Sequence, residues 1–151
     1  MYKQAYSKSI LFNLLLTVAA LIYVFIMLHL LLYRDRYNGG GYSYNIVPLH
    51  TIKQYIFFRH HMNWSIWFTN IFGNIVLFIP IGIFAPLFRV KYRNPIRLAA
   101  FTIVWIAIIE LIQMLAHVGS FDIDDIILNT FGALLGLIFT SIMLFVYRKS
   151  K

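Results

Sequence analysis

The composition of the chain excludes an ordinary soluble domain. Of its 151 residues, 61% are hydrophobic and 12% are charged, and the mean hydropathy is +0.77. Soluble domains are nearer half apolar and a quarter charged, and a small domain leaves a large share of its surface in water. The composition therefore indicates a membrane protein. The chain contains no cysteine, which excludes disulfides and thiolate chemistry.

Four apolar segments are each long enough to cross a membrane as a helix, which takes about 20 residues. They are about residues 10–33, 67–88, 98–117 and 126–147. The predicted fold is an all-α membrane protein with four transmembrane helices in one domain, residues 1–151. The first segment is longer than the core of a signal peptide and no small-residue cleavage site follows it, so we expect it to be retained.

The basic residues predict the orientation of the chain, because short cytoplasmic loops are rich in lysine and arginine. One side of the membrane receives nine basic residues and no acid: Lys3, Lys8, Arg89, Lys91, Arg93, Arg97, Arg148, Lys149 and Lys151. The other side receives Arg34, Arg36, Lys53 and Arg59 together with Asp35, Asp122, Asp124 and Asp125. We therefore expect both termini in the cytoplasm. The net charge of +8 is explained by the orientation of the chain in the membrane and by attraction to anionic lipid headgroups. We therefore expect no nucleic-acid partner.

The connection between the first two helices, about residues 34–66, is the longest and is predicted to lie outside the cytoplasm. It opens with a glycine-rich turn at residues 38–41. Further along it, four residues recur at helical spacing: Ile52, Tyr55, Ile56 and Arg59. This pattern predicts an interfacial helix on the outer leaflet.

Polar side chains inside the apolar segments are the candidates for function, since each needs a partner or a cavity in the membrane. Glu110 lies about 10 Å below the outer boundary at 1.5 Å per helical residue. Asn74 lies about as deep in the second helix, which runs in the opposite direction. Asn129 lies about 6 Å below Asp125 in the fourth helix. We expect these side chains to converge in the outer half of the membrane.

Helical spacing adds two neighbours to this group. Glu110 and Gln113 lie three residues apart and share a face of the third helix. Asn70 and Asn74 lie four residues apart and are predicted to share a face of the second helix.

The fourth helix carries a stripe of small and polar residues. Asp125, Asn129, Gly132 and Gly136 follow one another at steps of four, three and four residues. Its Gly132-x-x-x-Gly136 pair predicts the close approach of another helix. At the start of this helix, Asp124 or Asp125 is predicted to cap the free backbone amides.

Several motifs occur in a fixed order along the chain. They are Asn45-x-x-Pro48, Asn74-x5-Pro80-x-Gly82, Glu110-x-x-Gln113 and Phe121-Asp122-x-Asp124-Asp125, followed by Asn129, Gly132 and Gly136. Over about residues 45–145 this pattern resembles the VanZ-like family of small bacterial integral membrane proteins. The resemblance implies a plasma-membrane protein of the bacterial envelope, connected with low-level resistance to the glycopeptide teicoplanin. Some members have an arginine where this chain reads Val118-Gly119-Ser120, so no role of that arginine carries over.

Three interpretations of the polar residues stay open. In the first, seven residues bind an envelope lipid, a lipid-linked precursor or a lipoglycopeptide at the outer leaflet, and the interfacial helix forms a lid. These residues are Asn45, Asn74, Glu110, Gln113, Asp122, Asp125 and Asn129. In the second, the protein is an intramembrane enzyme acting on a lipid-linked phosphate or carbonyl substrate, with Glu110 as acid or base. In the third, Glu110 is a neutral acid that only joins helices.

A comparison of free energies favours a functional role for Glu110 over a role in joining helices alone. Interhelical hydrogen bonds in membranes contribute only about 0.6 kcal/mol on average, whereas an ionised acid at a helix centre costs about 2.5–3.5 kcal/mol. The sequence contains no metalloprotease-type His-Glu-x-x-His motif, and we predict neither a metal nor a cofactor. It leaves open whether the protein forms a homo-oligomer.

Overall fold

The computed structural model describes residues 9–32, 42–58, 60 and 63–150. The glycine-rich turn at residues 38–41 lies outside these ranges. Seven of the charged residues that predict the orientation of the chain also lie outside these ranges: Lys3, Lys8, Arg34, Asp35, Arg36, Arg59 and Lys151.

The described chain is almost entirely helical. In chain order, its elements are α1 (Ile10–Leu32), β1 (Tyr44–Asn45), α2 (His50–Phe57), α3 (Trp64–Phe68), a π-helical segment (Thr69–Gly73), α4 (Asn74–Phe88), a 3₁₀ turn (Val90–Arg93), α5 (Pro95–Leu115), β2 (Phe121–Asp122) and α6 (Ile123–Lys149). The π-helical segment joins α3 directly to α4. Four helical stretches are long and apolar enough to cross a membrane. The structure thus confirms an all-α membrane protein with four spanning helices, and α2 is the helix predicted in the first connection.

Glycines bring α6 into backbone contact with α4. A Cβ atom added at Gly132 would overlap the carbonyl oxygen of Ile75, and one at Gly136 would overlap the carbonyl oxygen of Ile79. On α4, a Cβ at Gly82 would likewise meet the α6 backbone. Small residues permit such contact because no side chain separates the two helices. The close approach predicted from the Gly132-x-x-x-Gly136 spacing is confirmed.

Helix α1 lies at the periphery of the bundle. Only Met27 and Leu31 of its residues are buried. A hydrogen bond from the Tyr23 hydroxyl to the Leu77 carbonyl, 2.7 Å long, ties it to α4. Most of its other residues are apolar and exposed, which is compatible with lipid as the surrounding solvent.

The two connections at one end of the bundle are joined by a parallel bridge. Tyr44 pairs with Phe121 and Asn45 pairs with Asp122. Flanking this bridge, the Phe121 N–H donates to the Ser43 carbonyl at 3.1 Å. The sequence did not predict these strands, because two residues are too few to show an alternating pattern. The bridge places the first connection directly over the start of α6.

Candidate functional site

Buried polar side chains from three helices gather at the end of the bundle where α5 ends and α6 begins. Asn74, Glu110, Gln113, Asp124 and Asn129 are each at most 2% exposed, and Asp125 is 9% exposed. We call these six residues, together with Asn45 and Asp122, the polar cluster. All seven residues that the sequence singled out for binding belong to it, and Asp124 is the addition.

Asp122 joins the first connection to α5 and α6. It is the N-cap residue of α6, and its carboxylate accepts the Asp124 N–H at 2.9 Å. The same carboxylate accepts the Asn45 side-chain amide at 3.0 Å and the Thr51 hydroxyl at 2.8 Å. Its own backbone N–H donates to Glu110 at 3.2 Å. A carboxylate at this position also meets the positive end of the α6 dipole.

Asp124 caps a different helix from the one on which it lies. Its carboxylate accepts the backbone N–H of Leu49 at 2.6 Å and that of Ile52 at 3.1 Å. These are free amides at the start of α2, whose own N-cap residue, Leu49, supplies no side-chain hydrogen bond. Leu49 also adopts a left-handed backbone with a φ of 65°, a conformation that leucine rarely takes.

The prediction that Asp124 or Asp125 caps α6 was wrong. The cap is Asp122, because it precedes the first helical residue with an extended backbone, and its side chain can therefore reach back to the helix amides. Asp124 and Asp125 already lie in the first helical turn. Their side chains are directed to other elements instead.

Asp125 links α6 to α4. The side-chain amide of Asn74 donates to the Asp125 carboxylate at 2.5 Å, and both residues are buried. Asn74 is the first residue after the π-helical segment. This bond confirms that the polar residues of the second and fourth spans meet.

Gln113 links α5 to α1. Its side-chain amide donates to the carbonyl of Leu31 in the last turn of α1. Glu110 and Gln113 are both buried on α5, as their spacing predicted, but their partners lie in different parts of the protein.

Two buried amide oxygens in the polar cluster accept no hydrogen bond within the part of the chain that the structure describes. They are Oε1 of Gln113 and Oδ1 of Asn129. A buried acceptor without a donor costs about 1–3 kcal/mol, and most such groups in proteins are paired with protein or ordered water. These two oxygens are therefore the acceptors that a water or a ligand donor would satisfy.

The acidic and histidine side chains of the described residues are not grouped in the way that metal ligands are. Within residues 9–32, 42–58, 60 and 63–150, no group of three or more histidine, aspartate or glutamate side chains is placed to hold a metal ion. The carboxylates of Asp122 and Asp124 are instead occupied by donors from the protein itself.

The fold and the site define a class of protein: a four-helix membrane protein whose polar cluster lies at one end of the bundle beneath a short loop helix. The family model for VanZ/LLP1 matches residues 12–145, and the chain belongs to this family. Over 72 residues the chain is 36% identical to Protein VanZ of Enterococcus faecium, a match that covers 46% of this chain and 43% of that protein. The chain thus matches less than half the length of this relative. No solved structure matches the chain.

Proposed function

We propose that the protein binds the polar part of an amphiphilic envelope molecule at the outer leaflet and contributes to teicoplanin-type tolerance. The molecule is an envelope lipid, a lipid-linked envelope precursor or a lipoglycopeptide. The observation that supports this most is the pair of buried oxygens without donors, on Gln113 and Asn129. Peptide amides and sugar hydroxyls supply N–H and O–H donors of the kind these acceptors lack.

Helix α2, which lies over the polar cluster, has the properties of a lid. No residue of α2 is fully buried, although Thr51, Ile52 and Tyr55 are half-buried, so polar bonds supply much of what holds this helix. They come from Asp122 and Asp124, and a further bond of 2.7 Å runs from the Trp67 indole to the Tyr55 carbonyl. A segment with few buried apolar contacts opens at low free-energy cost, which would give a ligand access to the cluster.

Exposed apolar side chains lie on α2 and on the residues that flank it. They are Ile46, Val47, Ile56, Phe57, Phe58 and Trp64. An apolar surface beside a polar face suits the boundary between lipid headgroups and acyl chains. A ligand with a polar head and an acyl chain would therefore find both of its parts accommodated at this end of the protein.

The distribution of charge supports an outward-facing cluster. Arg89, Lys91, Arg93 and Arg97 lie between α4 and the first turn of α5, and Arg148 lies near the end of α6, so all five are at the other end of the bundle. Basic residues favour the cytoplasmic side. We therefore place the polar cluster at the outer leaflet, where envelope precursors and glycopeptides are encountered.

The test is the teicoplanin susceptibility of a bacterial host that expresses wild type, Glu110→Gln, Asn129→Ala or the control Ser141→Ala. Ser141 also lies on α6, but its hydroxyl only donates to the Leu137 carbonyl of its own helix. We expect wild type and the control to raise tolerance, and the two cluster variants to lose the effect at equal membrane abundance. Full tolerance in both cluster variants would contradict the proposal. Turnover of a lipid-linked substrate by purified protein, lost in Glu110→Gln, would support the enzymatic alternative instead.

A further inference from the structure

An apolar groove lies between α1, α4 and α5, towards the end of the bundle opposite to the polar cluster. Its volume is about 270 Å³. All three helices contribute apolar walls, among them Ala20, Val24, Ile81, Ala85, Phe101 and Trp105. Several of these side chains are more than a third exposed, including Val24, Phe101 and Trp105. The groove therefore opens sideways, towards the surrounding lipid.

The groove is long enough for a segment of a hydrocarbon chain. Along α4 it extends from Ile81 to Phe88 and then to Arg89, a rise of about 12 Å at 1.5 Å per residue. Up to Arg89 its walls offer hydrophobic side chains and no charge. Such a surface accommodates an acyl chain and no polar headgroup.

The end of the groove is basic. Arg89, which is exposed, and Tyr92 line it there. The ammonium group of Lys91 lies 4.7 Å from the centre of the Tyr92 ring. Close by, Arg93 donates to the Pro86 carbonyl at 3.4 Å.

This concentration of positive charge has no acidic counterpart in the described chain. The four acids within the described residues are Glu110, Asp122, Asp124 and Asp125, and all belong to the polar cluster at the opposite end. Burial and the neighbouring charge of Arg148 lower the pKa of the Arg93 guanidinium. An anion at this end would be attracted by several cations that otherwise repel one another.

We propose that the groove binds one acyl chain of an anionic phospholipid from the leaflet at this end of the protein, with the headgroup phosphate at Arg89. Arginine suits this role because its planar guanidinium pairs with phosphate oxygens through two hydrogen bonds. A zwitterionic phospholipid makes the same apolar contacts but carries a compensating cation, so it gains less from the basic end. This site is independent of the polar cluster and of the function proposed for it.

The test measures which phospholipids stay bound to the detergent-purified protein in native mass spectrometry. The protein is offered an equal mixture of phosphatidylglycerol and phosphatidylcholine with the same acyl chains. We expect wild type to retain phosphatidylglycerol with a preference of about fivefold, the factor that one basic residue contributes near an anionic membrane surface. Arg89→Gln should lose this preference, and Arg89→Lys should keep most of it.

Two further variants distinguish lipid binding in the groove from diffuse attraction of anionic lipid to the basic end of the protein. Lys149→Gln removes one positive charge from an exposed position at the end of α6 that does not line the groove, and it should retain the preference. Ala20→Leu narrows the groove from α1 without changing any charge, so it should reduce retention of both lipids.

Four results would overturn the proposal. The first is equal retention of the two lipids by wild type. The second is an equal loss of preference in Arg89→Gln and Lys149→Gln, which would mean diffuse attraction to the basic end. The third is unchanged retention in Ala20→Leu. The fourth is a lipid-free dimer in which a second copy of the chain covers the groove.

Discussion

The Asp124 carboxylate in the first turn of α6 accepts the backbone N–H of Ile52 in α2, although 72 residues separate them along the chain. The same carboxylate accepts the N–H of Leu49. One fully buried side chain thereby holds the start of a helix that buries none of its own residues. The position of α2 over the polar cluster therefore depends on this carboxylate.

Replacing Asp124 should release α2. Asp124→Ala removes both acceptor oxygens. We expect it to lower the stability of α2 on the bundle by about 1–2 kcal/mol, as the loss of other helix caps does. Asp124→Asn keeps one acceptor oxygen and should have a smaller effect. Hydrogen–deuterium exchange in residues 45–58 should rise in the order wild type, Asp124→Asn, Asp124→Ala. Lys53→Ala, a change at an exposed position of α2, is the control, and equal exchange in all four proteins would contradict the prediction.

The bond between Asn74 and Asp125 should be measurable as a coupling free energy. In a double-mutant cycle with Asn74→Ala and Asp125→Ala, we expect a coupling of about 0.6 kcal/mol and at most about 1.7 kcal/mol, the range found for interhelical bonds in a membrane protein. Unfolding in mixed detergent micelles provides the free energies. Asn74→Ala combined with Thr102→Val serves as the control cycle, since Thr102 donates to the Leu98 carbonyl of its own helix. Additive effects of Asn74→Ala and Asp125→Ala would show that the bond contributes nothing.

The contact between α4 and α6 should not tolerate a methyl group. Gly132→Ala and Gly136→Ala each force a Cβ into a backbone carbonyl of α4, and we expect each to destabilise the protein by about 1–3 kcal/mol, as overpacking does. Gly73→Ala is the matched control, because its Cβ would lie 3.4 Å from the nearest side-chain atom, an ordinary contact. Midpoints of thermal unfolding in detergent would test this. Equal midpoints for all three variants would mean that the helices can separate without cost.

The absence of cysteine from the chain makes its orientation directly testable by labelling. Ile46→Cys lies at an exposed position of the first connection, and Lys149→Cys lies in the last turn of α6. A membrane-impermeant maleimide should label Ile46→Cys in intact cells and Lys149→Cys only after permeabilisation. The reverse pattern would place the polar cluster in the cytoplasm and contradict the proposed outer-leaflet site.

The spanning helices were predictable because a bilayer leaves few alternatives. A segment in lipid must satisfy its own backbone hydrogen bonds, so long apolar runs become helices. The glycine stripe of α6 was predictable for a similar reason, since a period of 3.6 residues fixes which side chains share a face. Counting residues at a fixed rise predicted that Asn74, Glu110 and Asn129 lie at a similar depth, but it did not predict that Asn74 donates to Asp125.

The partners of the acids were not predictable in the same way. Asp122, Asp124 and Asp125 fall within four positions, and no periodicity says which one caps α6, α2 or neither. Thr51 was missed altogether as a partner of Asp122, because 71 residues and an irregular connection separate the two. Contacts of this kind depend on how loops fold over the helix ends, and a pattern with a helical period carries no information about them.

The π-helical segment Thr69–Gly73 gives the second spanning helix a change of phase just before Asn74. A π turn holds one residue more than an α-helical turn. Winding the same residues as an α-helix would therefore rotate everything before them by about 100° around the helix axis. The Trp67 indole would then turn away from the Tyr55 carbonyl that it now contacts, while Asn74 and the glycine contacts below it would stay in place. The direction of the aromatic side chains above the membrane core thus depends on this wide turn, whereas the packing of the core does not.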